Sequence, residues 1–211
     1  AEDYSDGVGS AGSLTAQITG GIADTFTGNT ITGNDGYGVT FWDDRYIEAE
    51  AEANGTEIGG DVTTLIGGPG IVNTFTGNTI SDNTYGGVYD DYYNEIYAYA
   101  YAYNSTFVHG DVTATISAGI TNAYTDNTIA NNGGDGIYLY ENYLYAEAYS
   151  YYSRVWGDLT TTVSGGIANT FDGNTIQDND GDGVILEYND IEAYAEDYSD
   201  GVGSAGSLTA Q

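Results

Sequence analysis

The chain has 211 residues, 32 of them Asp or Glu and only two of them basic, Arg45 and Arg154, for a formal net charge of -30. A chain this acidic is repelled by nucleic acid and by anionic membrane surfaces, and it attracts metal cations and basic surfaces. Cysteine is absent, which excludes a disulfide framework and thiolate metal sites.

No apolar run is long enough to cross a bilayer. Glycine (32) and tyrosine (22) are in excess, with one proline, Pro69. That balance suits β-structure broken by tight turns. Methionine is also absent, so the chain is expected to be a processed product or an internal piece of a longer protein.

In chain order, Gly12-Ser-Leu-Thr-Ala-Gln-Ile18 opens an alternating segment. Ala23-Asp-Thr-Phe-Thr-Gly-Asn-Thr-Ile31 follows, then a Gly- and Asx-rich turn over 33–38. A strictly alternating run, Ile47-Glu-Ala-Glu-Ala-Glu-Ala53, closes the unit. The same succession returns from Gly60, Gly110 and Gly157, which divides the chain into repeats 12–59, 60–109, 110–156 and 157–205. A two-residue period puts Ile, Leu and Ala on one strand face and Glu or Tyr on the other. A helix would spread those Tyr and Glu residues around its axis.

Residues 1–17 are identical to residues 195–211, an offset of 194. The expectation is a parent built from near-identical four-unit blocks, the whole chain being one continuous solenoid. Each unit also divides into halves, both opening with Gly-Asp in the fourth (Gly157-Asp158 and Gly181-Asp182). That predicts about two coils per repeat of about 49 residues. Eight to nine coils would then stand about 40 Å tall. Neither end reads as a cap, which predicts continuation or end-to-end stacking.

The phrases from Gly28 to Phe41, Asp126 to Tyr140 and Gly173 to Leu186 resemble the repeat of right-handed parallel β-helix proteins of the pectate-lyase-like and NosD-like kind. The resemblance implies an all-β, right-handed parallel β-helix, and an inward ladder of Asn29, Asn78, Asn127 and Asn174 at one turn. It implies little about function, because one fold hosts many activities. Ile31, Ile80, Ile129 and Ile176 are expected as a core column, and Phe26, Phe75, Tyr124 and Phe171 as an aromatic column.

Four chemistries bear on function. Asp178-Asn-Asp180-Gly-Asp182-Gly183 matches the first half of a Ca2+ loop, although Asn189 stands where a bidentate Glu would be required. Asx-Gly clusters also make ordinary turns. Sequons at Asn54 and Asn104 mark candidate N-glycosylation sites. The single His109 and the absence of lysine speak against nucleophilic, Schiff-base or phosphate-loop catalysis, so no catalytic residues are assigned. A column of Thr15, Thr63, Thr113 and Thr160 would also suit a flat crystalline or carbohydrate partner, but threonine is a favoured strand residue.

The expected function is therefore structural: a segment of an extracellular or cell-surface filament that self-associates end to end, and laterally through its Tyr/Glu face. The alternative is the stalk of an adhesin or glycan-binding protein.

Overall fold

The structure, a computed structural model, describes residues 2–3, 12–104, 106–198 and 207–211. Most of the 17-residue identity between the two ends lies outside the described residues. Within them there is no helix, and every strand pairing is parallel.

The first coil contains strands Leu14–Ile18, Gly21–Thr27, Thr30–Thr32, Val39–Phe41, Arg45–Asn54 and Glu57–Ile58. Each belongs to a different sheet, and each later repeat adds one strand to every sheet in the same order, apart from the three-stranded sheet of Glu57–Ile58, Phe107–Val108 and Arg154–Val155. This is the strand arrangement of a parallel β-solenoid. Register is regular: Ile96 pairs with Ile47 below and Leu144 above, and Phe75 with Phe26 and Tyr124.

These registers correct the expectation of two coils per repeat. Partners lie one whole repeat apart, as in Leu14–Val62, Val112–Leu159 and Asn142–Asn189. Each repeat thus makes one wide coil, and four coils rise about 19 Å rather than about 40 Å. The physical reason is that ladders of identical side chains need the same residue on every rung. Asn, Ile and Phe recur in matching positions once per repeat, while the two Gly-Asp pairs mark two different corners of one coil.

The corners share a device. A residue with left-handed backbone precedes an inward asparagine. At the first such corner Gly28 (φ 65°), Gly77 (64°), Asp126 (54°) and Gly173 (63°) precede Asn29, Asn78, Asn127 and Asn174. Gly, Asn and Asp are the residues that tolerate this conformation. Each asparagine then joins two coils. The backbone N–H and Nδ2 of Asn78 both donate to Oδ1 of Asn127 at 2.9 Å. Nδ2 of Asn127 donates to the Phe75 carbonyl at 2.9 Å and to Asn174 Oδ1 at 2.9 Å. The buried amides of this column thereby find partners within the protein.

Between corners the interior has two parts. One holds the aromatic stack, with ring centroids 4.6 Å apart for Phe26–Phe75, 4.7 Å for Phe75–Tyr124 and 5.3 Å for Tyr124–Phe171. Ile80, Ile129 and Ile137 pack beside it, fully buried. The other is thin. Ala98, Ala100 and Ala102 of the long strand face Val112, Ala114 and Ile116. Alanine lets the two sheets approach until Thr64 Oγ1 donates to the Tyr99 carbonyl on the opposite sheet at 2.6 Å. Glycine serves close approach elsewhere: Gly70 has φ 75°, and a Cβ there would lie 2.0 Å from the Gly119 carbonyl oxygen.

The ladder sets a stability prediction. Asn127→Ala leaves the buried Asn78 N–H without its acceptor, at about 1–3 kcal/mol, and also removes the Asn127 amide's bonds to the Phe75 carbonyl and to Asn174. Chemical denaturation should show a loss of about 2 kcal/mol or more, while Thr128→Ser, exposed on the strand that follows, should stay within about 0.5 kcal/mol.

Candidate functional site

The most distinctive surface is the outer face of the long strands, Arg45–Asn54, Asn94–Tyr103, Asn142–Tyr151 and Asn189–Tyr198. Their inner faces carry mostly alanine with leucine or isoleucine, after a polar first residue, and every second residue projects outward. The outward columns run Glu48, Tyr97, Tyr145, Glu192 and then Glu50, Tyr99, Glu147, Tyr194. Next come Glu52, Tyr101, Tyr149, Glu196, and at the strand ends Asn54, Tyr103, Tyr151, Tyr198.

Tyrosine and carboxylate are joined within this face. Tyr97 Oη donates to Glu95 Oε1 at 2.7 Å, Tyr101 Oη to Glu147 Oε2 at 2.9 Å, and Tyr143 Oη to Glu192 Oε2 at 2.8 Å. Neighbouring rings lie close, as in Tyr99–Tyr101 at 5.3 Å and Tyr145–Tyr194 at 5.5 Å. Packing among the rings and the nearby carboxylates both disfavour phenolate. Burial first, then Glu147, pushes Tyr103 up to about 12. Tyr97, Tyr99, Tyr101 and Tyr143 are raised further, again with burial as the largest cause.

The sequence-predicted residues fall as follows. Asn29, Asn78, Asn127 and Asn174 form the bonded column already described. Asp178, Asp180 and Asp182 lie on an exposed turn of the fourth coil. Among the described residues, no group of three or more His, Cys, Asp or Glu comes together as metal ligands. The local geometry explains this segment in backbone terms. Asp178 (φ 55°) occupies the same left-handed corner position as Gly33 (68°), Asp82 (56°) and Asn131 (54°). Asn179 points inward as the top rung of a second ladder, Asn34, Asn83, Asn132 and Asn179. The Asp182 N–H donates to Asp135 Oδ1 at 2.8 Å.

Asn54 and Asn104 stand at the end of the long strands, one column apart. Asn104 Nδ2 donates to Asn54 Oδ1 at 2.9 Å. Ser105, the middle of the second sequon, lies outside the described residues. The sequon threonines Thr56 and Thr106 are buried, and the Thr106 N–H donates to Ser153 Oγ at 3.2 Å, so they serve as hydroxyl rungs at the corner. His109 Nε2 lies 2.8 Å from Glu57 Oε1, with its ring against Trp156. Thr63 and Thr113 pair in register on the first sheet.

Sequence reasoning missed one interior cluster. Arg45 is buried, its Nε donating to Asn94 Oδ1 at 2.7 Å and its other nitrogens reaching Asp90 and Asp24. Its guanidinium lies 4.0 Å from the Phe41 ring centre. Burial pushes the Asp90 carboxyl up, against the pull of Arg45. The signal was present as three departures from column identity. Asp24 stands among Asn73, Asn122 and Asn169, Arg45 among Asn94, Asn142 and Asn189, and Asp90 among Phe41, Leu139 and Leu186.

No family model, curated protein or solved structure matches the chain.

The raised phenols make a pH prediction. A phenol that binds its proton more tightly when folded contributes stability that is fully present below about pH 10, the unfolded value. That stability falls as pH rises from there through the folded value. Tyrosinate absorbance near 295 nm should therefore lag behind free tyrosine and rise steeply with alkaline unfolding. Titration of all tyrosines near pH 10, with β-sheet circular dichroism intact, would contradict the packed phenol–carboxylate face.

Proposed function

We propose that the chain is a non-catalytic structural segment of an extracellular filament, built by stacking solenoid coils along one axis. The observation that carries this reading is the sameness of each step between coils. The bonds from Asn29 to Asn78, Asn78 to Asn127 and Asn127 to Asn174 measure 2.9–3.0 Å and all run in one direction. Such a ladder can be extended without changing any contact already made. It also has polarity, since each coil donates to the next and accepts from the one before, so growth would be head to tail.

The apolar side chains at the end of the stack, on the fourth coil, support the same reading. Val184, Leu186 and Ile191 are 37%, 43% and 50% exposed, whereas their partners Ile137, Leu139 and Leu144 are at most 1% exposed. A further coil, from the same chain or from a second copy, would bury them. The likeness to pectate-lyase-like and NosD-like β-helices extends on this reading to the corner asparagines and the parallel stacking, with a coil that takes a whole repeat. Cations, Ca2+ among them, would act as diffuse counterions of the -30 chain.

Electron cryo-microscopy of the native material tests the proposal. The expected result is long rods with an axial spacing of about 4.8 Å and a block repeat of about 19 Å. Discrete compact particles would contradict it.

A further inference from the structure

The outer face of the long strands has a composition that favours a partner of opposite charge. Its twenty outward positions hold eleven tyrosines, eight carboxylates and one asparagine, with no cation among them. Four ten-residue strands cover about 33 Å by about 19 Å, or roughly 600 Å². A face of that size, tyrosine interleaved with carboxylate, is as large as the largest surface patch of an ordinary monomer, and such patches are often functional. Neighbouring rings meet at varied angles, with planes 50° apart for Tyr97–Tyr145 and 84° for Tyr101–Tyr149, and Tyr46, Tyr194 and Tyr198 are 46%, 39% and 55% exposed. Phenols that donate to carboxylates, as Tyr97 and Tyr101 do, carry more electron density in the ring. Cations bind at such ring faces.

A second copy is a poor occupant. Face-to-face pairing would set carboxylates against carboxylates on chains that each carry a charge of -30. The spacing indicates a different partner. Outward residues recur along each strand about every 6.8 Å, which is also the spacing of alternate side chains in any extended polypeptide.

We infer that this face is a docking surface for an extended, basic polypeptide segment, its Lys or Arg groups seated over tyrosine rings and between the carboxylates. The inference does not rest on the filament reading, because all four strands lie within the described coils.

The test titrates the dispersed 211-residue chain with a fluorescent peptide of alternating lysine and serine, at about 150 mM salt where long-range attraction is largely screened. The triple variant Tyr97→Leu, Tyr99→Leu, Tyr145→Leu keeps every charge. The matching Phe variant keeps the rings. Saturable binding should weaken about tenfold in the Leu variant and by less than about threefold in the Phe variant. Equal binding by the Leu variant, or equal losses in both, would overturn the inference, since charge or phenol hydroxyls alone would then explain capture. Should the Leu variant fail to fold, NMR on the unaltered chain decides. Bound lysine side-chain protons should shift upfield under the ring currents, and binding without that shift overturns the inference. Side-by-side dimers of the chain alone at this salt, abolished by the Phe or Leu changes, would also overturn it by making a second copy the occupant.

Discussion

The structure depends on polar amides that must be satisfied inside a narrow coil. A parallel solenoid turns its chain several times per coil, and each turn brings peptide groups toward an interior without water. The inward asparagines answer this at two corners, 29/78/127/174 and 34/83/132/179. Every rung above the first accepts from the asparagine below, and from Asn78 and Asn132 upward each also donates to a backbone carbonyl of the previous coil. That geometry holds only when coils are in exact register, so the ladders select the register that also stacks Phe on Phe and Ile on Ile. Satisfying buried amides and aligning the apolar core are one requirement here.

Much of this was legible in the residues. Strict alternation in Ile96–Tyr103 placed alanine inside and tyrosine outside, and the strand Asn94–Tyr103 has that pattern of burial. The asparagine column was legible through its company of Gly or Asp before and Thr-Ile after. The coil length was not, because likeness between half-repeats was confined to Gly-Asp pairs, which report a turn and not a register. Asp178–Asp182 looked like a ligand loop for a related reason. Left-handed corners and cation loops both draw on Asp, Asn and Gly, and only the backbone angle at Asp178 and the inward Asn179 separate the two. The Arg45 cluster escaped notice because its members are far apart in sequence and each looks like an isolated exception to a column.

Interior and exterior obey different rules. Inside, the ladder and large apolar columns keep their residue type, as with Ile31, Ile80, Ile129 and Ile176, and others exchange only small residues, as with Thr64, Ala114 and Thr161. Outside, one column reads Glu50, Tyr99, Glu147, Tyr194. The buried ladders therefore supply a scaffold whose outer lattice of phenol and carboxylate can vary without disturbing the fold. The Arg45–Asp90–Asp24 group departs furthest, a charged set placed where other coils use asparagine, phenylalanine or leucine. Buried ion pairs of this kind add little stability over apolar packing and can act by fixing alignment.

The central claim is that one repeat makes one coil, with equivalent residues on adjacent strands. The chain has no cysteine, so introduced pairs report directly on it. Thr113 and Thr160 pair across neighbouring strands of the first sheet, a Cα separation of about 4.8 Å that a disulfide can span. Thr160 and Val184 would be equivalent if each half-repeat were a coil, but they lie on different sheets. Under mild oxidation Thr113→Cys with Thr160→Cys should form an intrachain disulfide in the folded protein, and Thr160→Cys with Val184→Cys should not. The reverse outcome would contradict the account.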